Sequence, residues 1–273
     1  MAKNQTQPKK SKQFTGVKSS GLIILACFII AELIYKFIFG DPSHFEGGNP
    51  DGHPIAGDLI GTIYKGGFIV PVIQTLLLTV LVLSVERFFA IKSAQGKGKL
   101  VKFVEEIKLS LSKGDLKAAT ALCEKQKGSV ANVVSSTIVK YAEVEEDKTL
   151  SKEQQILAIQ KEVEEATALE LPMLSQNLPI IATITTLGTL MGLLGTVVGM
   201  IKSFAALSGG GGTDSVALSA GISEALINTA FGILTGALAV ISYNYYTSKI
   251  DTITYSIDEV GFSIVQTFAA SHK

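Results

Sequence analysis

A carboxylate stands inside a long apolar run near the end of the chain. Glu224 lies within SVALSAGISEALINTAFGILTGALAVISYNYY, residues 215–246. A charged group in hydrocarbon is costly, so an acid at such a position is a candidate functional residue that faces a bundle interior or water. Counted from residue 215 at about 1.5 Å per residue, Glu224 lies about 13 Å into the run. The alternative is a structural carboxyl that bonds a neighbouring helix.

Hydroxyls and small residues accompany this acid in the last two apolar runs. At the same rise per residue, Thr196 lies about 16 Å and Thr229 about 21 Å from the outer ends of their runs, so we expect the two hydroxyls to face one another near the bilayer midplane. Further polar members of the stripe are Thr185, Thr189 and Asn228. Small residues at four-residue spacing let helices approach closely; they are Gly188, Gly192, Gly195, Gly199, Gly221, Gly232 and Gly236. The alternative is that the threonines bond carbonyls of their own helices and the glycines serve packing alone.

Other polar groups in or near the apolar runs carry weaker signals. Glu32 is followed four residues later by Lys36, so the two side chains can neutralise each other on one helix face. Glu86 and Arg87 end the second run, where charged side chains ordinarily reach the interface by snorkelling. No histidine enters a run, and GGGG at 209–212 lacks the Lys-Ser/Thr of a phosphate-binding loop. The sequence therefore predicts neither an enzyme nor a metal or cofactor site.

The elements that must position these residues are membrane helices. The chain has 273 residues, 47% of them hydrophobic, a mean hydropathy of +0.38 and a formal net charge of zero. The apolar residues collect in four runs, each long enough to cross a hydrocarbon core of about 30 Å, which predicts an all-α polytopic membrane protein with four transmembrane helices. A net charge of zero gives no footprint for nucleic acid. We predict a basic cytoplasmic tail (1–20), four spans (21–39, 67–92, 177–207, 215–248), periplasmic loops (40–66, 208–214), a cytoplasmic helical domain (93–176) and a cytoplasmic C-terminal helix (249–273).

Lysines set the predicted orientation. They precede the first run and follow the second, and the positive-inside rule then places both flanks, and both termini, in the cytoplasm. A cleavable signal peptide is the alternative for the first run, but no small-residue cleavage site follows Phe39, so we interpret the run as retained. The segment between the first two spans is rich in Pro and Gly, which predicts mostly irregular structure.

Helical periodicity continues outside the spans. Apolar residues recur at three- and four-residue steps between 156 and 169 and again between 250 and 264, so the fourth helix is expected to extend into the cytoplasm. Pro172 and Pro179 interrupt the approach to the third span and predict a kink there. Thr213 or Asp214 can cap the fourth helix. Cys27 and Cys123 have neither the number nor the spacing of a disulfide framework or a zinc site, which predicts free thiols.

Two motifs resemble the ExbB/TolQ/MotA family of proton-channel subunits. MGLLGTVVGMIKSF, residues 191–204, is similar to the family's GLxGTVxGxxxSF signature, and AGISEALINTAFGIL, residues 220–234, is similar to GIxEALxxTAxGL. The second motif is closer to the ExbB/TolQ branch than to MotA, and the resemblance covers about residues 68 to 250. Two features depart from the family. The first span is an additional helix, and position 189, where the family often carries a proline, is Thr189.

The resemblance implies a ring, a pentamer, whose third and fourth spans enclose a pore. The pore would hold the membrane helices of a dimeric, single-span ExbD/TolR-like partner that carries a protonatable aspartate. Thr196 and Thr229 would then line the pore at the level of that aspartate, and Glu224 would lie nearer the outer side as a polar or proton-relay residue. A neutral carboxyl can sit among hydroxyls at midplane, whereas an ionised one needs donors and water.

The implied function is a proton channel and stator subunit of the bacterial inner membrane. It would couple proton motive force to mechanical work, with TonB-dependent outer-membrane transport and a TonB-like protein as the first expectation. Tol-Pal envelope maintenance and gliding or motility motors are alternatives in the same class. Two other classes stay open as alternatives: a non-conducting membrane scaffold in which Glu224 is structural, and an intramembrane enzyme. A solute carrier predicts broken helices in two similar halves, which the sequence lacks.

Overall fold

The computed structural model describes residues 16–17, 19–208 and 215–271. The regular structure of these residues is helical, apart from an isolated antiparallel bridge between Phe45 and Pro54. Most of the predicted basic tail and of the predicted connection 208–214, with the proposed caps Thr213 and Asp214, lies outside the described residues.

Nine α-helices follow one another along the described chain. They are α1 (Ser20–Ile34, continued by a π-helical turn, Tyr35–Phe39), α2 (Leu59–Tyr64), α3 (Ile69–Gln95), α4 (Leu100–Ser112), α5 (Leu116–Gln126), α6 (Gly128–Glu146), α7 (Lys152–Ser175), α8 (Leu178–Ser208) and α9 (Ser215–Ser271). Four segments, containing α1, α3, α8 and α9, are long and apolar enough to cross a bilayer. The predicted all-α fold is therefore confirmed for the described residues, with four candidate membrane-spanning helices.

The chain divides into two compact units. The span unit comprises Val17–Val85 and Asn177–Asn244, and the bundle unit comprises the described part of Glu86–Gln176 and Tyr245–Lys273 together with Gly16. The four helices differ in how much of their apolar window other parts of the chain cover: 56% for the segment with α3, but only 11% for that with α1. In a single chain most of α1 is thus available to lipid or to another molecule.

The core of the bundle unit is mainly aliphatic and comes from α4 to α7 and the later part of α9. The spacing of its residues by three or four positions places them on one face of each helix; fully buried members are Ile107, Leu111, Ile159, Ile253, Ile257 and Phe268. Cys123 is also buried and, like Cys27, is a free thiol, as predicted. Burial raises the pKa of the Cys123 thiol to about 12, so the thiol stays protonated at neutral pH.

The prediction that Arg87 snorkels to the interface is wrong. Arg87 is fully buried and Glu86 nearly so, and their side chains form an ion pair. The guanidinium also donates to the carbonyl oxygens of Met173 and Leu174, at 3.2 and 3.3 Å. These carbonyls belong to the last turn of α7, whose C=O groups have no partner within the helix. The buried guanidinium therefore satisfies carbonyl groups at the C-terminus of α7. The residues around Arg87 in the sequence do not predict this contact.

The break between α7 and α8 lies between the two prolines. Pro172 is inside α7, and Asn177 has a positive φ of 65° just before α8 begins. Asparagine tolerates this left-handed conformation better than most residues. At its other end α7 starts with a capping box between Ser151 and Gln154. The predicted kink is thus a turn of left-handed backbone rather than a bend within one helix.

The segment before α3 contains more regular structure than its Pro and Gly content predicts. Asp58 caps α2 through the N–H groups of Ile60 and Gly61, and its second oxygen lies 2.7 Å from Nδ1 of His44. The hydrogen bond with His44 is the main reason that the pKa of Asp58 lies below its usual value. Two single-turn 3₁₀ helices, Pro42–His44 and Glu46–Gly48, precede it.

Glu32 and Lys36 do not form the ion pair that their spacing suggests. The ion pairs within 4.0 Å among the described residues do not include these two side chains. The backbone changes to a π-helix at Tyr35. The regular α-helical spacing on which an i, i+4 pair depends therefore ends just before Lys36.

The buried ring of Phe268 tests the bundle core. This ring packs edge-on against Tyr141 with centroids 4.8 Å apart. We expect Phe268→Ala to lower the free energy of unfolding by about 3–5 kcal/mol, through lost transfer energy and a residual cavity. Phe262→Ala is the matched control on the same helix, since that ring is 64% exposed. Denaturant unfolding in detergent, followed by circular dichroism, measures both; equal effects would contradict the assigned core.

Candidate functional site

The antiparallel helices α8 and α9 approach each other through glycine. A Cβ added to Gly192 would lie 3.0 Å from the carbonyl oxygen of Asn228 and 3.1 Å from Cα of Gly232. A Cβ at Gly188 would lie 3.1 Å from the amide nitrogen of Gly236. Nearer the connection between the two helices, a Cβ at Gly199 would lie 2.7 Å from the carbonyl oxygen of Gly221. Larger residues would separate the two backbones along this seam.

Asn228 crosses the seam and is fully buried. Its side chain lies over Gly195, where an added Cβ would overlap the Asn228 Cβ. The amide nitrogen Nδ2 donates to the carbonyl oxygen of Gly66, 2.8 Å away. Oδ1 has no hydrogen-bond partner among the described residues. The side chain thus ties α9 to the turn that precedes α3 and leaves one buried acceptor open.

Glu224 lies one helical turn before Asn228 and forms an ion pair with α8. Lys202 Nζ donates to both carboxylate oxygens, at 2.7 and 2.9 Å. The glutamate side chain is 8% exposed and the lysine side chain 51%. Burial of an acid requires a partner of this kind, since an unpaired charge is costly to remove from water. The lysine supplies it while keeping part of its own side chain open.

Lys202 is a site residue that the sequence analysis does not predict. It lies six residues before Ser208, and Glu224 lies nine after Ser215. In an antiparallel hairpin, positions at similar distances from the connection stand opposite each other. This symmetry was the available signal, but a lysine near a helix end is ordinarily taken as a snorkelling side chain.

The turn at Gly66 and Gly67 completes the surroundings of the acid. Gly67 has a φ of +73°, and a Cβ there would lie 2.6 Å from Oε1 of Glu224. Glycine is therefore required twice, for the left-handed backbone and for the close approach of the carboxylate. Nothing in the local sequence connects this turn with an acid more than 150 positions later.

The first membrane helix reaches the same turn. The Tyr35 hydroxyl donates to the carbonyl oxygen of Tyr64, 2.9 Å away, and the two rings stack with centroids 4.8 Å apart. Tyr64 is two residues before Gly66 and closes α2. The additional helix is thus linked through two aromatic rings to the segment that contacts Asn228 and Glu224.

The threonines bond main-chain carbonyls rather than each other. Thr196 donates to Leu193 at 2.6 Å on its own helix. Thr229 donates to Ala225 at 3.1 Å, and its contact with the Gly192 carbonyl on α8 is 3.4 Å.

Thr185 also donates within its own helix, to Ala182 at 2.6 Å. The Thr189 hydroxyl lies 2.8 Å from where a Cβ of Gly236 on α9 would be. Within one chain the hydroxyls of Thr185, Thr196 and Thr229 thus bond nearby carbonyls, as the alternative interpretation expects.

Among the described residues, no group of three or more His, Cys, Asp or Glu is arranged to hold a metal ion. The polar groups that the structure brings together are instead a carboxylate, an ammonium, a carboxamide and main-chain carbonyls. Such groups can exchange hydrogen bonds with water and position a proton, but they include no nucleophile with an adjacent base.

The ion pair can be tested by a double-mutant cycle. Lys202→Met leaves the buried Glu224 carboxylate without its counter-ion, and we expect a loss of about 1–2 kcal/mol in the free energy of unfolding, reduced by the exposure of the lysine. Adding Glu224→Gln should restore at least half of this loss because the uncompensated charge is gone. Unfolding in mixed detergent and SDS micelles measures the cycle. Strictly additive effects would show that the pair is not coupled.

Comparison with known proteins shows which family this part of the chain resembles. A sequence model described as the MotA/TolQ/ExbB proton channel family matches residues 131–259. This range contains both motifs, most of the seam between α8 and α9, and the ion pair. It begins after α3, so the match is shorter at its N-terminal side than the resemblance read from the sequence.

Individual relatives match shorter segments. A Synechocystis sp. protein named for its likeness to ExbB, ExbB-like 3, is 38% identical over 88 residues, 32% of this chain and 42% of the relative. The Tol-Pal system protein TolQ of Haemophilus influenzae is 36% identical over 84 residues, 31% of this chain and 37% of TolQ. The biopolymer transport protein ExbB of Salmonella typhimurium is 31% identical over 85 residues, 31% of this chain and 35% of ExbB.

The matched segments thus span less than half the length of these curated relatives. The sequence model and all three relatives agree on the family that this segment resembles. Residues 131–259 are similar to the MotA/TolQ/ExbB proton channel family.

Proposed function

We propose that this protein is a proton channel and stator subunit of the bacterial inner membrane, which couples proton motive force to mechanical work. The observation that carries the proposal is the buried Glu224 between two tightly packed membrane helices, inside a segment similar to a proton channel family. An ionisable residue within a membrane segment is a functional candidate by default. Both termini lie in the cytoplasm in this proposal, as the lysine distribution favours.

The proposed assembly is a pentameric ring in which α8 and α9 of each copy face a central pore. The segments with α8 and α9 have only 28% and 33% of their apolar windows covered within one chain, which leaves surface for neighbouring copies and a partner. The partner is a single-span ExbD/TolR-like dimer whose helices occupy the pore. The proposed pore-lining and proton-path residues are Thr196, Thr229, Glu224, Thr189, Thr185 and Asn228.

Hydroxyls suit a pore that must accept a carboxyl in both protonation states. A protonated aspartate of the partner can donate to a threonine oxygen, and an ionised one can accept from the same hydroxyl after rotation about one bond. Thr196 and Thr229 bond carbonyls of their own helices in a single chain, so they can exchange that partner without loss of the fold. Each proton that crosses 100 mV releases about 2.3 kcal/mol, which drives the step.

Glu224 and Lys202 occupy the outer part of the proposed path. Their pair keeps a charged, half-open group near the outer ends of α8 and α9, where water is available. Asn228 lies one turn deeper, and its open Oδ1 acceptor suits a buried water, because buried polar groups are ordinarily satisfied by protein or by water. We assign Glu224 to proton admission and Asn228 to holding that water.

Energisation of TonB-dependent outer-membrane transport, with an ExbD-like partner and a TonB-like protein, is the first choice of cellular role. Relatives named ExbB or ExbB-like support it. The TolQ relatives support Tol-Pal envelope maintenance as the second candidate. A gliding or motility stator would use the same mechanism and is a further candidate. Binding of the purified ring to a TonB-like or a TolA-like periplasmic protein distinguishes the first two roles.

The mass of the purified complex tests the assembly. We expect co-expression with an ExbD/TolR-like single-span protein to give a particle containing a pentamer of this chain and two partner copies, because the open faces of α8 and α9 need both kinds of neighbour. Native mass spectrometry from membranes measures it. A monomer whose mass is indifferent to the partner would overturn the ring.

Proton flux tests the pore hydroxyls. We expect Thr229→Val to reduce flux in liposomes containing the complex by at least about tenfold, since loss of one hydrogen bond to a charged group removes more than about 1.4 kcal/mol. Thr183→Val is the matched control: that hydroxyl also bonds its own helix, 2.9 Å from the Pro179 carbonyl, on an exposed face of α8. Flux is measured with a pH-sensitive dye at a fixed potential.

Glu224→Gln separates the channel from a scaffold. A proton path should lose flux when this acid becomes a neutral amide, while the mass of the ring stays unchanged. Unaltered flux in both Glu224→Gln and Thr229→Val would remove these two residues from the proton path, and absence of flux in the unaltered complex would leave a membrane scaffold as the function. Loss of flux in the Thr183→Val control as well would indicate general damage to α8 and would remove the support for a specific hydroxyl.

A further inference from the structure

A lysine-rich cavity lies between the start of α4 and the end of α5 in the bundle unit. Its volume is about 190 Å³. The polar side chains that line it are those of Lys97, Lys99, Lys102, Lys125, Gln126 and Glu106. Four lysines and one glutamate therefore line a small space, in a protein whose formal net charge is zero.

The cavity has a fixed frame. Gln126 is 6% exposed, and its Nε2 donates to the carbonyl oxygen of Gln95 at 2.9 Å and contacts that of Gly98 at 3.5 Å. The Lys97 amide donates in turn to the Gln126 carbonyl at 2.8 Å. A Cβ at Gly98 would lie 2.6 Å from Gln126 Oε1, so a larger residue there would displace the end of this side chain. The connection between α3 and α4 is thus clamped against the end of α5, and its lysines extend from a defined backbone.

Three of the lysines have no counter-ion. Among the described residues, Lys97, Lys99 and Lys125 form no ion pair within 4.0 Å, and Lys102 pairs with Glu106 at 3.5 Å where both are exposed. Like charges gathered in a cleft focus a positive potential that attracts anions. Lys99 is also the residue before α4 and supplies no side-chain cap, so the helix dipole adds to this potential.

The size of the cavity selects the anion. Pockets for whole drug-sized ligands have volumes of about 300–1,000 Å³. A cavity of about 190 Å³ suits a single phosphate group rather than a complete nucleotide. Lysine is a common phosphate ligand because its ammonium is a compact charge with three donors.

An apolar cavity that is shallow and wide open to the surface adjoins the basic one. Its volume is about 410 Å³, and it shares Glu106, Leu122 and Lys125 with its neighbour. Leu109 and Ala121 line its outer part, and Leu109 is 56% exposed. An anionic head with an aliphatic chain matches this pair of cavities, whereas free phosphate would leave the second one unused.

The position along the chain favours the same ligand. Lys97 follows Ile91, near the end of the apolar part of α3, by six residues, which is at most about 20 Å of extended chain. Lysine clusters directly beyond a membrane helix attract anionic lipid headgroups.

We propose that the lysine cavity binds the phosphate group of an anionic phospholipid, with an acyl chain in the adjoining apolar cavity. This site is separate from the proton path, and it stands whether or not the chain conducts. It gives the bundle unit a direct preference for membranes that contain anionic lipid.

Soluble short-chain lipids test the site on the full chain in detergent. We expect dihexanoyl phosphatidylglycerol to bind and dihexanoyl phosphatidylcholine, which has no net charge, to bind far more weakly. Microscale thermophoresis at constant ionic strength measures both. The variant Lys97→Gln/Lys99→Gln/Lys125→Gln should weaken phosphatidylglycerol binding by about 100-fold, since each lysine near an anionic headgroup contributes a factor of about five.

The matched control removes three lysines elsewhere on the described surface of the bundle unit, as Lys113→Gln/Lys117→Gln/Lys148→Gln. The control has the same net charge as the test variant and should bind like the unaltered chain. Equal loss in both triple variants would overturn the site in favour of diffuse surface charge. Inorganic phosphate is the third probe.

Phosphate that binds as tightly as phosphatidylglycerol would overturn the lipid assignment and leave a free-phosphate site. Ala121→Asn isolates the apolar cavity, because it should weaken lipid binding without affecting phosphate. Absence of binding by every probe would overturn the proposal altogether.

Discussion

The structure of the site depends on the contact between the backbones of α8 and α9. Glycine at matched positions on the two helices allows main-chain atoms of one to approach those of the other. Only at that separation can the Asn228 side chain cross Gly195 and reach the turn before α3. The same separation brings the Lys202 ammonium onto the Glu224 carboxylate. A wider gap would leave a buried carboxylate and a buried carboxamide without partners, so packing and polar satisfaction are one constraint here.

The membrane helices could be predicted from the sequence because the bilayer imposes a length and a polarity on every segment that crosses it. The two motifs could be recognised because each is a contiguous stretch of residues. Contacts that depend on the register between distant segments could not be predicted. The pairing of Lys202 with Glu224 can be predicted only when the packing of α8 against α9 is known. The approach of Gly67 to that acid depends on the path of the chain between α1 and α3. Arg87 differed for a related reason: its partners are main-chain carbonyls at the end of α7, which carry no mark in the sequence.

The sequence signals of the additional first helix differ from those of the segment that resembles the family. The motifs of α8 and α9 identify a family, whereas α1 has only apolar character and no motif. One contact of α1 with the rest of the span unit is that between Tyr35 and Tyr64, where the Tyr35 hydroxyl donates to the Tyr64 carbonyl oxygen. This contact connects the additional helix with the segment that leads into the turn at Gly66 and Gly67.

The pairing of Lys202 with Glu224 has a consequence for biogenesis. Synthesis proceeds from the N-terminus, so the lysine leaves the ribosome before the glutamate does. A single charged residue costs about 2.5–3.5 kcal/mol at the centre of an inserting helix, and less at the depth of this pair, which lies nearer the helix ends. When α8 and α9 enter the membrane as one hairpin, the acid meets a cation that is already at its depth, and neither helix has to carry an isolated charge into lipid. The length of the connection, residues 209–214, therefore sets how soon after synthesis the charge of α9 is neutralised.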